Sequence, residues 1–72
     1  MEGDLQRNFG RNLRAYRKRR GFSQEDFADK LGVHRTYMGG IERGERNLTL
    51  KSVEKIAGKL ELEPLTLLAQ PD

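Results

Sequence analysis

The residues that decide the fold are 23–43, which read SQEDFADKLGVHRTYMGGIER. Ser23 is a favoured N-cap residue, and Asp26 three positions later gives a relative of the capping box, so one helix begins at residue 24. Gly32 supplies the left-handed conformation in which that helix ends, and His34 is a candidate cap for a second helix. The stretch therefore predicts helices over residues 24–31 and 35–43, joined by a tight turn and crossing steeply, which is helix-turn-helix geometry.

The same helix-start pattern recurs outward from this stretch. An apolar residue precedes each cap and a second apolar residue follows five positions later, as in the hydrophobic staple. The pairs are Phe22 with Phe27, Val33 with Met38, Leu48 with Val53, and Leu62 with Leu67. An earlier apolar stripe consists of Leu5, Phe9, Leu13 and Tyr16, which indicates an N-terminal helix.

These patterns predict an all-α fold, a compact five-helix bundle in a single domain of residues 1–72. The expected helices are 4–20, 24–31, 35–43, 50–60 and 64–69, with no competing strand pattern. Besides the first stripe, the expected inward residues are Phe27, Ala28, Leu31, Met38, Ile41, Val53, Ile56, Ala57 and Leu60.

Composition limits the classes of protein that remain. In 72 residues, 35% are apolar and 35% are charged, which suits a folded helical domain and excludes two domains. Without cysteine there is no disulfide to support a small core, so oligomerisation is the remaining means of stabilisation. No apolar run approaches the ~18 residues of a membrane span, and we expect a cytoplasmic protein.

Positive charge is concentrated near the N-terminus. Residues 1–22 carry seven basic and two acidic side chains, whereas residues 23–72 carry seven basic and nine acidic ones. This asymmetry is typical of proteins that bind a polyanion, either nucleic acid or an anionic membrane surface, but it also fits a merely solvated helix face. Charge alone leaves these alternatives open.

Residues 23–46, SQEDFADKLGVHRTYMGGIERGER, resemble the Cro/lambda-repressor-like helix-turn-helix family, also called the XRE family. The stretch at 11–21 and the KIAGKL segment at 55–60 extend the likeness over nearly the whole chain. More narrowly, residues 35–57 are similar to controller proteins of restriction-modification genes. The resemblance implies a lambda-repressor-like fold and a bacterial or phage origin. It also implies a protein that associates with the nucleoid and regulates transcription from palindromic operators. A phage-type repressor and an antitoxin-like autoregulator remain alternatives, as does a module that binds a protein or membrane surface.

In this family the N-terminal end of the third helix lies in the major groove, so Arg35, Thr36 and Tyr37 are the candidate base-reading residues. An arginine can donate two hydrogen bonds to O6 and N7 of guanine, and Thr36 offers a hydroxyl and a methyl group. Gly39 and Gly40 are unexpected in a short helix, because each costs about 1 kcal/mol relative to alanine. They fit either close approach to DNA or close helix packing.

Contacts to the DNA backbone are expected on both sides of this reading helix. Gln24 lies at a helix N-terminus, where backbone N–H groups favour an anion. The other candidates for backbone contact are Arg43, Arg46, Asn47, Thr49, Ser52 and, from the first helix, Arg17.

One such unit reads few base pairs, so we expect a homodimer, with two dimers on adjacent operators as an extension. The candidate dimerisation helix spans residues 62–69, and the candidate interface residues are Leu62, Leu65 and Leu68. Leu65 and Leu68 are expected to face outward, whereas the staple also assigns Leu62 to the core with Leu67. An acidic strip of Glu25, Asp26 and Asp29 is a candidate contact for RNA polymerase.

Catalysis is not expected. Ser23 and Asp26 have helix-start roles, and His34, the only histidine, lacks a second histidine or a cysteine with which to bind a metal. The sequence therefore predicts a protein that is not an enzyme and that needs no metal or cofactor.

Overall fold

The computed structural model describes residues 3–71, which form five α-helices and no β-strand. The helices are α1 (Asp4–Arg19), α2 (Gln24–Leu31), α3 (Arg35–Glu42), α4 (Leu50–Leu60) and α5 (Pro64–Leu68). The predicted all-α, five-helix architecture is confirmed, and every helix end lies within one residue of its predicted position. Met1, Glu2 and Asp72, which end the predicted domain of 1–72, lie outside the described residues.

Side-chain caps begin the three central helices. Ser23 Oγ accepts a hydrogen bond from the Asp26 amide at 3.0 Å, and His34 Nδ1 accepts one from the Thr36 amide at 3.1 Å. Thr49 Oγ1 accepts one from the amide three residues later, at 3.0 Å. Because each cap satisfies an N–H group that lacks a partner within its helix, these bonds fix where the helices begin. The prediction that His34 is a helix cap is confirmed.

The core follows the predicted apolar positions closely. It consists of Phe9, Leu13, Tyr16, Phe27, Ala28, Leu31, Met38, Ile41, Val53, Ile56, Ala57, Leu60 and Leu67. The staple residues that precede the caps are half-buried and pack against this cluster; they are Phe22, Val33, Leu48 and Leu62. One predicted core residue is wrong, because the Leu5 side chain is 61% exposed. Leu5 lies about one turn before Asn8 and two turns before Asn12, the residues of α1 that hold α5, and at that end of α1 its side chain stays in solvent.

α1 holds two of the other helices, α3 and α5, on different sides. Asn12 Nδ2 donates to the carbonyl oxygens of Leu67 and Ala69, at 2.8 and 2.7 Å, and so holds the C-terminal end of α5. On another side of α1, Gly10 lies against the C-terminal end of α3. A Cβ atom on Gly10 would come within 2.8 Å of the Glu42 carbonyl oxygen and closer still to that of Ile41. The close approach of α1 to α3 therefore requires glycine at this position.

We expect Gly10→Ala to lower the free energy of unfolding by about 2 kcal/mol or more, because the new methyl group meets backbone that cannot rotate away. Gly58→Ala is the matched control, since Gly58 lies in α4 with no atom near its Cβ position. That substitution should raise stability by about 0.5 to 1 kcal/mol through helix propensity. Urea denaturation measures both. Equal effects of the two substitutions would contradict the proposed constraint.

Candidate nucleic-acid interface

The N-terminal end of α3 presents two of the predicted base-reading residues to solvent. The side chains of Arg35 and Thr36 are exposed, whereas Tyr37 is half-buried and packs against the core. Arg35 Nη1 donates to Glu25 Oε2 at 3.1 Å, and both side chains are about two-thirds exposed, at 67% and 66%. A pair this exposed contributes only about 0 to 1 kcal/mol, so the guanidinium group can be redirected at little cost.

A shallow cleft of about 360 Å³ brings four of the predicted residues together. Its lining includes Gln24 from α2, Arg35 and Thr36 from α3, and Arg43 after α3. Gly39 forms part of the floor between them. The turn between α2 and α3 therefore places a candidate phosphate-binding amide beside the candidate base-reading side chains.

Arg17 does not lie on this surface as a free cation. Its Nε donates to Glu42 Oε2 at 2.7 Å, its Nη2 to Glu42 Oε1 at 3.0 Å, and its Nη1 to the Phe22 carbonyl oxygen at 3.1 Å. The side chains of Arg17 and Glu42 are only 12% and 4% exposed. Gln24 Nε2 also donates to Glu42 Oε1, at 3.1 Å. These contacts give Arg17 a positioning role for α2 and α3, and its contact with the DNA backbone stays a prediction.

The two adjacent glycines of α3 make room for side chains of the predicted interface. A Cβ atom on Gly39 would lie 3.1 Å from Arg43 Nη1 and 3.5 Å from Gln24 Oε1. On Gly40 it would lie 2.9 Å from Arg46 Nε. These neighbours are atoms of flexible side chains and not the backbone of another helix. The space is therefore filled by flexible polar groups, which differs from the helix packing at Gly10.

The loop after α3 holds the remaining candidates in two small networks. The Arg46 guanidinium carbon lies 5.2 Å from the centre of the Tyr37 ring, a cation–π contact. Gln6 Nε2 donates to the Arg46 carbonyl oxygen at 2.8 Å and to Asn47 Oδ1 at 2.7 Å. Arg43 Nε donates to the exposed Glu45 at 3.0 Å.

Thr49 and Ser52 are joined to each other at the start of α4. Besides its capping bond, Thr49 donates from its hydroxyl to Ser52 Oγ at 3.0 Å. The Ser52 hydroxyl proton therefore remains available to an outside acceptor such as a phosphate.

Sequence reasoning missed two residues that position this surface. Glu42 joins Arg17 to Gln24, and Gln6 ties the loop after α3 to α1. Glu42 belongs to the I-E-x-G ending of α3, which could have marked it as a structural acid. Gln6 is a polar residue at an ordinary helix position, and nothing in the sequence distinguishes it.

The candidate dimer residues occupy different environments. Leu65 is 76% exposed, in agreement with its predicted outward position. Leu68 does not face fully outward as predicted; it is half-buried and packs against the core, as Leu62 does. α5 has only five residues, and the side of it that packs on the core buries Leu67 and also covers part of the neighbouring Leu68.

No group of three or more His, Cys, Asp or Glu side chains in residues 3–71 is arranged to hold a metal ion. None of the helices described above is both long and apolar enough to cross a lipid bilayer.

Comparison with known proteins identifies relatives over most of the chain. A helix-turn-helix family model (HTH_3) matches residues 13–67. A hypothetical transcription factor of Neisseria meningitidis is 37% identical over 97% of this chain, which spans 66% of that relative's length. Control protein C.BamHI of Bacillus amyloliquefaciens is 39% identical over 94% of this chain and 85% of its own. The crystal structure of the restriction-modification controller protein C.AhdI from Aeromonas hydrophila superposes with a TM-score of 0.74, at 44% identity, over 86% of this chain and 94% of that one.

We expect Arg17→Ala to lower the free energy of unfolding by about 3 to 5 kcal/mol, because Glu42 would remain as a buried charge without its partner. Arg35→Ala, which breaks the exposed pair with Glu25, should cost no more than about 1 kcal/mol. Urea denaturation followed by circular dichroism compares the two, and failure of the Arg17 variant to fold is the extreme form of the expected result. Similar small losses for both variants would show that the buried pair does not hold the helices together.

Proposed function

The chain belongs to the helix-turn-helix (HTH_3) family of DNA-binding transcriptional regulators, and from this premise we propose that it is a controller protein of a restriction-modification system. In this proposal it binds operators near its own promoter and regulates its own gene together with the restriction-modification genes. The observation that carries the proposal is the cleft in which Gln24, Arg35, Thr36 and Arg43 lie side by side. The likeness to C.BamHI and C.AhdI supports the narrower assignment. The relatives of this chain are transcriptional regulators and not enzymes, in agreement with the prediction that the chain is not an enzyme.

Base reading is the task of the N-terminal end of α3. Arg35 exchanges its exposed partner Glu25 for O6 and N7 of a guanine, a bidentate contact that discriminates against other bases by about 1 to 3 kcal/mol. Thr36, one position further into the helix, offers its hydroxyl to a base edge or its methyl group to thymine. Tyr37 adds a polar tip, while its ring stays packed between the core and Arg46.

Phosphate contacts hold α3 in the groove from both sides. Gln24 lies on one side, at the N-terminus of α2, where the first backbone N–H groups add to its attraction for an anion. The other side consists of the loop after α3 and the start of α4, with Arg43, Arg46, Asn47, Thr49 and Ser52 as its members. Gln6 fixes the backbone of this loop, and Arg17 reaches Gln24 through the Glu42 carboxylate, so α1 positions both groups of contacts.

A two-fold homodimer would place two α3 helices in successive major grooves, about 34 Å apart, which calls for a palindromic operator. Leu65 supplies an exposed apolar side chain at the candidate interface, flanked by the half-buried Leu62 and Leu68. Two dimers on adjacent operators would make the response steeply dependent on protein concentration.

In the same proposal the protein works in the cytoplasm, at operators in the nucleoid of a bacterium or of a phage-infected cell. The acidic side chains of Glu25, Asp26 and Asp29 are exposed on α2 and serve as the contact for RNA polymerase. DNA binding would change the charge of this acidic surface. When the Arg35 guanidinium engages a base, it leaves the Glu25 carboxylate without its partner.

The function is tested by gel-shift titration against the DNA upstream of the chain's own gene, with random duplex as competitor and at two salt concentrations. Arg35→Ala should weaken operator binding by roughly 10-fold or more and leave random-duplex binding almost unchanged, because it removes a base contact. Arg43→Ala should weaken both and make binding less dependent on salt, because it removes a phosphate contact. Equal losses on both duplexes for the Arg35 variant would contradict its role as a base reader.

Leu65→Asp should convert the dimer into monomers, because an isologous interface places the new charge close to its own copy. Leu50→Asp is the matched control, since Leu50 is equally exposed, at 77%, but lies at the start of α4. Sedimentation velocity over a range of concentrations measures both variants beside the wild type. A dimer that survives Leu65→Asp would reject this interface.

A further inference from the structure

The outer face of α1 carries four cations that the proposed operator contacts do not use. Arg7, Arg11, Arg14 and Lys18 follow one another at spacings of four, three and four residues, so they lie on one face of the helix. All four side chains are exposed. The four residues, called the basic stripe below, cover a length of about 16 Å at 1.5 Å per residue.

Most of the stripe is not neutralised by the chain itself. Arg7 is paired with Asp4 at 2.6 Å. Within residues 3–71, no ion pair or hydrogen bond engages the side chains of Arg11, Arg14 or Lys18. By contrast, neighbouring Arg17 and Arg20 are engaged, the first with Glu42 and the second over the Tyr16 ring. The charge left over on α1 is therefore directed away from the bundle.

The stripe lies beside both groups of proposed phosphate contacts. Arg14 lines a cleft of about 170 Å³ together with Gln24, Gly39 and Arg43. Near the other end of α1, the Arg7 side chain packs under Gly44, in the loop that carries Arg43 and Arg46. α1 thus runs along the edge of the interface from one group to the other.

We propose that the basic stripe is a second DNA-backbone surface, which binds phosphates of the duplex flanking each half-site, outside the base pairs that α3 reads. This inference rests on the proposed function. A length of about 16 Å is about half of the ~34 Å helical turn of the duplex, so the stripe fits beside the backbone of a flanking segment. In this proposal the stripe contacts phosphates and not base edges, so its contribution is independent of sequence.

Duplex DNA fits this face better than a membrane surface does. A helix that lies on a membrane needs an apolar face free to enter the lipid. In α1 the apolar residues Phe9, Leu13 and Tyr16 are buried in the core, and among the leucines of α1 only Leu5 is exposed. The stripe therefore has the charge for a polyanion but no apolar face to insert.

The test uses two duplexes, the operator core and the same core extended by ten base pairs at each end. Arg11→Gln/Arg14→Gln removes two charges of the stripe and keeps long polar side chains. Arg19→Gln is the matched control, because Arg19 is an exposed α1 arginine on the other side, lining a cleft with Leu62 and Leu67. Filter binding at several salt concentrations gives the affinity and its salt dependence.

We expect the wild type to bind the extended duplex more tightly than the core. The double variant should lose about 10-fold on the extended duplex and little on the core, and the slope of log K against log salt should fall by about 2. Arg19→Gln should change neither quantity.

Two outcomes would overturn the inference. An equal loss on both duplexes, or the same loss in Arg19→Gln, would show that the stripe attracts DNA only at long range and does not bind the flanking phosphates. A wild type that does not distinguish the operator from random duplex would overturn the proposed function instead. In that case the stripe is tested on random duplex, where the slope must still fall by about 2 for the double variant alone.

Discussion

The buried pair between Arg17 and Glu42 is the interaction on which the arrangement of α2 and α3 depends. It joins α1 to the last residue of α3, and Arg17 also holds the Phe22 carbonyl oxygen in the turn before α2. Through Gln24, the same carboxylate reaches the first residue of α2. A buried ion pair adds little net stability over an apolar pair, but it tolerates few geometries. Its value here lies in fixing three elements around one carboxylate.

α1 also fixes the loop after α3 and the helix α5, which carry the other proposed contacts. Its glycine at position 10 allows contact with α3, Gln6 holds the loop that carries the phosphate contacts, and Asn12 holds the end of α5. In a dimer formed through α5, the path from one α3 to the other would run through α1 and α5 of both copies. In such a dimer, rigid attachment at each step would set the distance between the two α3 helices, and with it the half-site spacing that the dimer accepts.

The helices and most of the core could be predicted because their signals are local. A cap or staple acts within five residues, so Ser23, His34 and Thr49 are visible in the sequence alone. The hydrogen bonds that position the helices could not be predicted, because Arg17 and Glu42 are 25 residues apart in the sequence and Gln6 and Arg46 are 40 apart. Leu5 shows a second limit. Periodicity shows which face of a helix is apolar, but not whether another element covers that turn.

Gly39 and Gly40 leave space on α3 for side chains from the loop that follows it. Together they cost about 2 kcal/mol of helix propensity relative to alanine. In return, Arg43 lies over the first position, and Arg46 lies over the second and against Tyr37. Side chains at these positions would push both guanidinium groups away from α3. The proposed DNA-binding surface is therefore composite, since α3 provides the backbone and the loop held by Gln6 provides much of the charge. A change in that loop should thus alter DNA recognition even where α3 keeps every residue.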